Sequence, residues 1–358
     1  MKKESWIGLG VAAAILISLA VLGYQQWSGL SGAARRECLA LMPPDASAVL
    51  FADFNELRQA AFISELYAWA KKPQADAEYA QFLKDTGFDY ERDLHQIAIA
   101  VQKHGADSIL FVVADGKFDR EKIYAYASKS GTVAKNGGRE IYSVPMSGSM
   151  KRISFTFLNK NRMALTDGPD LSVFLITKTK SAAEAEWRTR FERLAGSPVF
   201  AVIRHDPGAG STLAAEAPGG LGSPQLSALL DQLQWITIAG KPDNDRLRVV
   251  ADGECSSDGT VRQLSDLLNG IILLAEAGLN DPQARQQLDP ATREAYLELL
   301  KNAEVSKLDR GETKSVRVIL EITPKLLEAA RGASPAATPG AAPSKPPNKV
   351  AGQKKGRT

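Results

Sequence analysis

The pentapeptide VVADG occurs twice in the chain, at Val112–Gly116 and at Val249–Gly253. Five matching residues can recur by chance, so the flanking sequence decides what the repetition means. An alternating apolar segment precedes each copy at a similar distance, QIAIAV at Gln96–Val101 and WITIAG at Trp235–Gly240. Further upstream lie the apolar strands SAVLFADF at Ser47–Phe54 and SPVFAVIR at Ser197–Arg204. Downstream, Asp119 and Ser256 both stand four residues past the aspartate of the motif, and both are good helix N-caps. Each half then ends on two further strand-type segments, REIYSVP with KRISFTFLN in the first and AEVSKLD with TKSVRVILEIT in the second. Agreement of several independent signals argues for a duplicated unit.

That order fixes the expected class. The chain reads as α+β, built from two tandem βαββαβ-like (ferredoxin-like) repeats with antiparallel sheets, over residues 45–180 and 181–331. In the first repeat a helix is expected from Asn55 to Ala70, with Leu57, Ala61 and Leu66 on one face. A shorter helix, EYAQFLKDTG, precedes the second strand. In the second repeat Leu264, Leu267, Leu268, Ile271, Leu274 and Ala275 recur at helical spacing. Asp281-Pro282 and Asp289-Pro290 each set a capping residue before a proline at the first helical position, which predicts two more helical pieces ending near Asn302. The Gly- and Pro-rich stretch 206–223 is expected as a long loop.

Both ends depart from the globular pattern. From Trp6 to Gly23 the chain carries no charge, which is about the length that crosses the hydrocarbon of a bilayer. Trp6, Tyr24 and Trp27 flank the run as interfacial aromatics, and Lys2 and Lys3 favour a cytoplasmic N-terminus over residues 1–5. Residues 6–24 are therefore expected as a transmembrane signal anchor and 25–44 as a juxtamembrane linker. A cleaved signal peptide is the competing reading, but the bulky YQQW occupies the place where cleavage would fall. The body then lies outside the cytoplasm, held at a bacterial inner membrane and periplasmic in a Gram-negative source. Residues 332–358, rich in Pro, Ala and Lys, have little to bury and are expected to be disordered. The five cations of that tail exceed the whole net charge of +3, so the folded part is slightly acidic and lacks a basic footprint for nucleic acid.

Little in the sequence carries chemistry. His95, His104 and His205 are too scattered for a metal site, and no cofactor motif appears. The triplet DTG at Asp85–Gly87 matches the catalytic triplet of aspartic proteases, but those need two such carboxylates sharing a proton, and no second DTG exists. Gly87 reads instead as the residue that ends a helix. Gly208–Gly210 lacks the rest of a dinucleotide fingerprint. Asp243 and Asp245 read as a hairpin turn rather than a calcium loop, and no GxSxG elbow is present. Cys38 and Cys255 offer either one disulfide in an oxidising compartment or two free buried thiols. Asp53, Asp115 and Asp252 are the carboxylates that would line a shared site. Turn chemistry already accounts for Asp115 and Asp252, with Gly116 and Gly253 allowing the chain to leave the sheet.

The N-terminal anchor, LMPPDASAVLFADFNEL, TGFDYERDL before a strand, and the duplicated halves together resemble an uncharacterised family of bacterial membrane-anchored exported proteins with a duplicated α+β ectodomain. The resemblance implies location and fold, and carries no activity or site residue. Two functions follow as expectations. The favoured one is a non-catalytic binding or scaffold module of the cell envelope, bound to the membrane through residues 6–24 and engaging an envelope protein or small ligand. The other is an extracytoplasmic hydrolase with a site between the repeats.

Overall fold

The computed structural model describes residues 31–69, 77–104, 107–145, 152–175, 182–205, 224–311 and 313–333. The apolar run from Trp6 to Gly23, the stretch 206–223 and the tail from 334 lie outside the described residues. Among the described residues no helix is long and apolar enough to cross a membrane.

The chain begins with helix α1 (Ser31–Ala40) and enters β1 (Ala48–Asp53). Four short helices follow, α2 (Phe54–Leu57), α3 (Ala61–Trp69), α4 (Ala77–Thr86) and α5 (Tyr90–Asp93). They lead into the hairpin β2 (Leu94–His104) and β3 (Asp107–Gly116). Helix α6 (Arg120–Ser130) precedes the strands β4 (Thr132–Asn136), β5 (Arg139–Pro145), β6 (Arg152–Asn159) and β7 (Arg162–Thr166). Helices α7 (Ser172–Leu175) and α8 (Ala182–Arg193) connect to β8 (Val199–Arg204). Helix α9 (Pro224–Leu230) precedes the hairpin β9 (Leu233–Asp243) and β10 (Arg246–Cys255). Helices α10 (Asp258–Asn280), α11 (Pro282–Gln287) and α12 (Pro290–Lys301), strands β11 (Glu304–Asp309) and β12 (Lys314–Ile322), and helix α13 (Pro324–Ala333) complete it.

All twelve strands join one sheet in the order β11-β12-β10-β9-β8-β1-β2-β3-β7-β6-β5-β4, and every pairing is antiparallel. The α+β class and the antiparallel sheet are as the sequence predicts. The strand order is not that of a ferredoxin-like unit, and the two halves do not form separate sheets. In a ferredoxin-like unit the helix carries the chain across the sheet, so the strands around it run parallel. Here α2 to α5 return the chain to the end it left, so β2 pairs antiparallel beside β1. The halves meet where β1 pairs with β8 along Ala48–Ala52, with Phe51 opposite Phe200 and their rings stacked 5.2 Å apart.

Both faces of the central strands are covered, which is why β1 is buried along its whole length and reads as continuous apolar sequence. One face packs Val49, Phe51, Ala98, Phe111, Val113, Phe200, Val202 and Trp235 beneath α1 and α8. The other packs Leu50, Ala52, Ile99, Val101 and Val112 beneath Phe54, Leu57, Phe62 and Ile63. Burying a side chain such as Phe51 is worth roughly 1.5–3 kcal/mol.

Local signals in the sequence reappear as caps and turns. Asp119 caps α6, Asp289 caps α12, and Gly87 ends α4 at φ +71°. Asn244 makes the β9–β10 turn at φ 53°. Three readings need correction, and the open alternative for the cysteines is decided. The expected helix from Asn55 to Ala70 is broken at Arg58–Ala60 into α2 and α3. Helix α10 is capped by Ser257, which accepts from Thr260 N at 3.2 Å, rather than by Ser256. Part of the span expected as a linker, 25–44, is folded: α1 buries Arg35, Cys38 and Leu39, and Met42 follows into the same core. Cys38 and Cys255 are free and buried, Cys38 under α1 and Cys255 beside Leu233 and Val316 in a different cluster, so the disulfide is not formed.

Candidate functional site

The three aspartates singled out by sequence all lie on the sheet face beneath α1 and α8, but they do not converge. Asp53, Gln96, Asp115 and Arg162 form one register row across β1, β2, β3 and β7. Val202, Thr237, Asp252 and Arg317 form the corresponding row across β8, β9, β10 and β12. Five strand spacings of ~4.8 Å and a four-residue offset along the strands, where Val202 faces Val49 rather than Asp53, separate Asp115 from Asp252 by roughly 28 Å.

Each aspartate is already engaged. Arg162 donates from Nε to Asp115 Oδ1 at 2.6 Å and from Nη2 to Oδ2 at 2.8 Å, and also reaches Glu37 Oε2 at 2.9 Å and Ala34 O at 3.2 Å. The hydrogen bonds to Asp115 outweigh burial and hold the Arg162 guanidinium above its ordinary range. Arg317 grips Asp252 in the same two-pronged way, at 2.7 and 2.8 Å, and Arg310 adds a third bond at 3.1 Å. Burial alone would push the Asp252 carboxyl up, but the bonds and charges of these two arginines hold it below the usual range. Asp53 is fully buried, caps α2 through Glu56 N at 3.1 Å and accepts from Gln96 Nε2 at 2.6 Å.

This corrects the turn reading of VVADG. Asp115 and Asp252 are strand residues in cross-strand ion pairs. Gly116 and Gly253 do not take positive φ; Gly116 is needed for close approach to backbone, whereas Gly253 lies against a side chain. A Cβ on Gly116 would stand 2.6 Å from the Asp93 carbonyl oxygen, and one on Gly253 would stand 2.9 Å from Leu233 Cδ2.

The remaining sequence candidates also have structural roles. Asp85 pairs with Lys129 at 2.6 Å, while Thr86 is buried with its hydroxyl donating to Phe82 O at 2.8 Å. His95 is half-buried, and burial and Arg58 lower its pKa. His205 is buried with Nε2 3.6 Å from Asp231 Oδ1, too far for a hydrogen bond. Among the described residues no group of His, Cys, Asp or Glu is placed to hold a metal.

The site that sequence reading missed lies between α1 and α8. A groove of about 570 Å3 opens there, within the range of small-molecule sites. Leu39, Met42, Pro44, Trp187 and Phe191 give it an apolar lining, with Arg36, Arg188, Glu56, Glu184 and Glu192 also at its walls. Helix α8 is fixed over the sheet by Trp187 and Arg190. Trp187 packs edge-on against Trp235 at 4.9 Å and donates from Nε1 to Pro44 O at 3.1 Å. Arg190 lies 3.9 Å over the Trp235 ring, and Arg190 and Arg193 both bond the buried Glu254 carboxylate on β10. Helix α1 is fixed by Arg35, whose guanidinium lies 4.6 Å over Phe51 and 5.3 Å over Phe200, where the halves join. Arg35 also donates to the carbonyls of Ala195 and Ser197 just past α8.

Arg35 is the unusual group of this site. It is buried to 8% exposure, lines the groove, and keeps Nε without a hydrogen-bond partner. Burial pulls its pKa down, opposed by the more distant charges of Asp53 and Glu56. Burial, reinforced by Asp53, pushes the Glu56 carboxyl up, against Arg35 and Lys241. The sequence signal was faint: Trp187 and Phe191 are spaced four apart as on one helix face, while Arg35 stands in a segment that reads as a linker.

No family model and no curated protein matches the chain. Among solved structures it is similar to crystal form I of TP0453, at 10% identity and a TM-score of 0.43 over 82% of this chain and 95% of that one. Crystal form III gives 11% identity and a TM-score of 0.42 over 87% and 96%. Crystal form IV gives 13% and 0.43 over 85% and 100%.

Proposed function

We propose that this chain is a membrane-anchored, extracytoplasmic binding module of the cell envelope, held at the inner membrane by residues 6–24, and that it binds its ligand in the groove between α1 and α8. The observation that carries this reading is the groove itself: an apolar lining under a charged rim, built by two helices that are each fixed to the sheet. The carboxylates that a hydrolase between the repeats would use, Asp53, Asp115 and Asp252, are each bonded elsewhere, and none lines this groove.

We also propose that the two halves descend from one duplicated unit. In support, Phe51, Ala98, Val113 and Ala164 share a register row, as do Phe200, Ala239, Val250 and Ile319. The VVADG aspartate two residues along meets an arginine on the next strand in both halves.

Two measurements test the reading. A photo-crosslinking residue at exposed Ala40, on the groove wall, should capture one ligand or partner in intact membranes, and the same probe at exposed Lys135 on β4 should not. Turnover in a hydrolase panel with no groove-specific crosslink would refute it. For location, a cytoplasm-only reporter fused after Arg331 should stay inactive; activity would overturn the exported topology.

A further inference from the structure

We infer that the groove takes a single-chain amphiphile with a carboxylate head, the chain lying along Leu39, Met42, Trp187 and Phe191 and the head meeting Arg35. This deepens the proposed function and rests on that reading. Three observations carry it. First, the lining supplies aliphatic and aromatic surface in a concave site large enough for a small ligand. Second, Arg35 is a buried cation lining the groove, its two Nη atoms donate to neutral backbone carbonyls, and among the described residues no carboxylate lies within ion-pair distance of it. A buried charge is ordinarily paired, and an anionic head in the groove would supply the counter-charge that Arg35 lacks. Third, α1 begins seven residues after Tyr24, a reach of at most about 24 Å in extended chain. An anchor at residues 6–24 therefore keeps the groove close to the bilayer, where amphiphiles concentrate.

The nearby acid makes the inference sharper. Glu56 also lines the groove and acts on Arg35 through its charge, so it competes with an incoming carboxylate for the same cation. Removing its charge should strengthen binding of an anion and leave an uncharged analogue unaffected.

The test uses the full chain in lipid nanodiscs, with 11-bromoundecanoate and 11-bromoundecanol as probes. The readout is bromine quenching of tryptophan emission, and the Trp187→Phe chain is subtracted to isolate the groove signal. The expected result is saturable quenching with the carboxylate bound about ten-fold tighter than the alcohol. Glu56→Gln should tighten the carboxylate alone, and Arg35→Gln should remove the ten-fold preference. Ala195→Phe, an exposed position on the groove wall, should abolish both signals without disturbing the core. Equal affinities for the two probes, or no change in Glu56→Gln, would overturn the role of Arg35 while leaving groove binding intact. No Trp187-dependent quenching by either probe would overturn the amphiphile itself, and the Ala40 crosslink would then decide the binding reading independently.

Discussion

Replacing Asp115 with alanine should be among the most damaging single changes to this fold. The side chains of Asp115 and Arg162 are 10% and 9% exposed, and the two share a two-pronged bond at 2.6 and 2.8 Å. Removing the carboxylate strands a buried guanidinium, a loss that costs roughly 3–5 kcal/mol where no partner remains. Arg162 keeps Glu37 at 2.9 Å, but that carboxylate is 66% exposed and compensates weakly. The expected cost is therefore about 3 kcal/mol, the lower end of that range. In guanidinium titrations, with a slope on the order of 6 kcal/mol per M for a chain of this size, the midpoint should fall by about 0.5 M. The corresponding Asp252→Ala should cost less, because Arg317 and Arg310 are 30% and 29% exposed and can rehydrate. The double variant Asp115→Leu with Arg162→Met should recover most of the loss, since an apolar pair needs no desolvated charge. A cost under about 1 kcal/mol for Asp115→Ala would mean that the pair behaves as an exposed salt bridge, and the argument from burial would fail.

Gly116→Ala should destabilise by roughly 1–3 kcal/mol, because its Cβ would meet backbone at 2.6 Å, whereas Gly253→Ala meets only the flexible end of Leu233 and should cost clearly less. Equal melting temperatures for the two variants would refute the close-approach account. The depressed Asp252 carboxyl contributes stability that is present above its unfolded pKa of about 3.9 and is lost as pH falls through the lower folded value. Asp252→Asn should thus be less stable than the parent at pH 7, with the gap narrowing as pH falls below about 4 in denaturant titrations; a gap that stayed constant from pH 7 to pH 2 would contradict it. Burial raises the Cys38 thiol and pushes Cys255 up to about 11, so neither should react with a thiol reagent in the native chain at pH 8. Both should react in guanidinium without reductant, and a chain that needed reductant first would contain the disulfide that the structure lacks.

The sequence by itself determined the α+β class, most of the strands, and the caps at Asp119, Asp289 and Gly87, because these follow from short-range rules. Side-chain alternation, capping oxygens and the left-handed tolerance of glycine need no distant partner. It missed β4 and β7, which are five residues each and too short to show a pattern. The matching VVADG segments were legible, but their chemistry was not. That Asp115 faces Arg162 and Asp252 faces Arg317 depends on strand pairing between segments 47 and 65 residues apart. The same holds for strand order: sequence marked β1, β2 and β8 as strands, yet only the compact return through α2 to α5 made β1 and β2 antiparallel neighbours and left β1 free to pair with β8. The groove belongs wholly to tertiary structure. Arg35 and Ala195 stand 160 residues apart, and what made Arg35 a buried cation instead of a linker residue was the docking of α1 over Phe51 and Phe200. Burial, which decides whether a charge is hydrated or held against aromatic rings, is a property of the assembled fold that no local run of residues encodes.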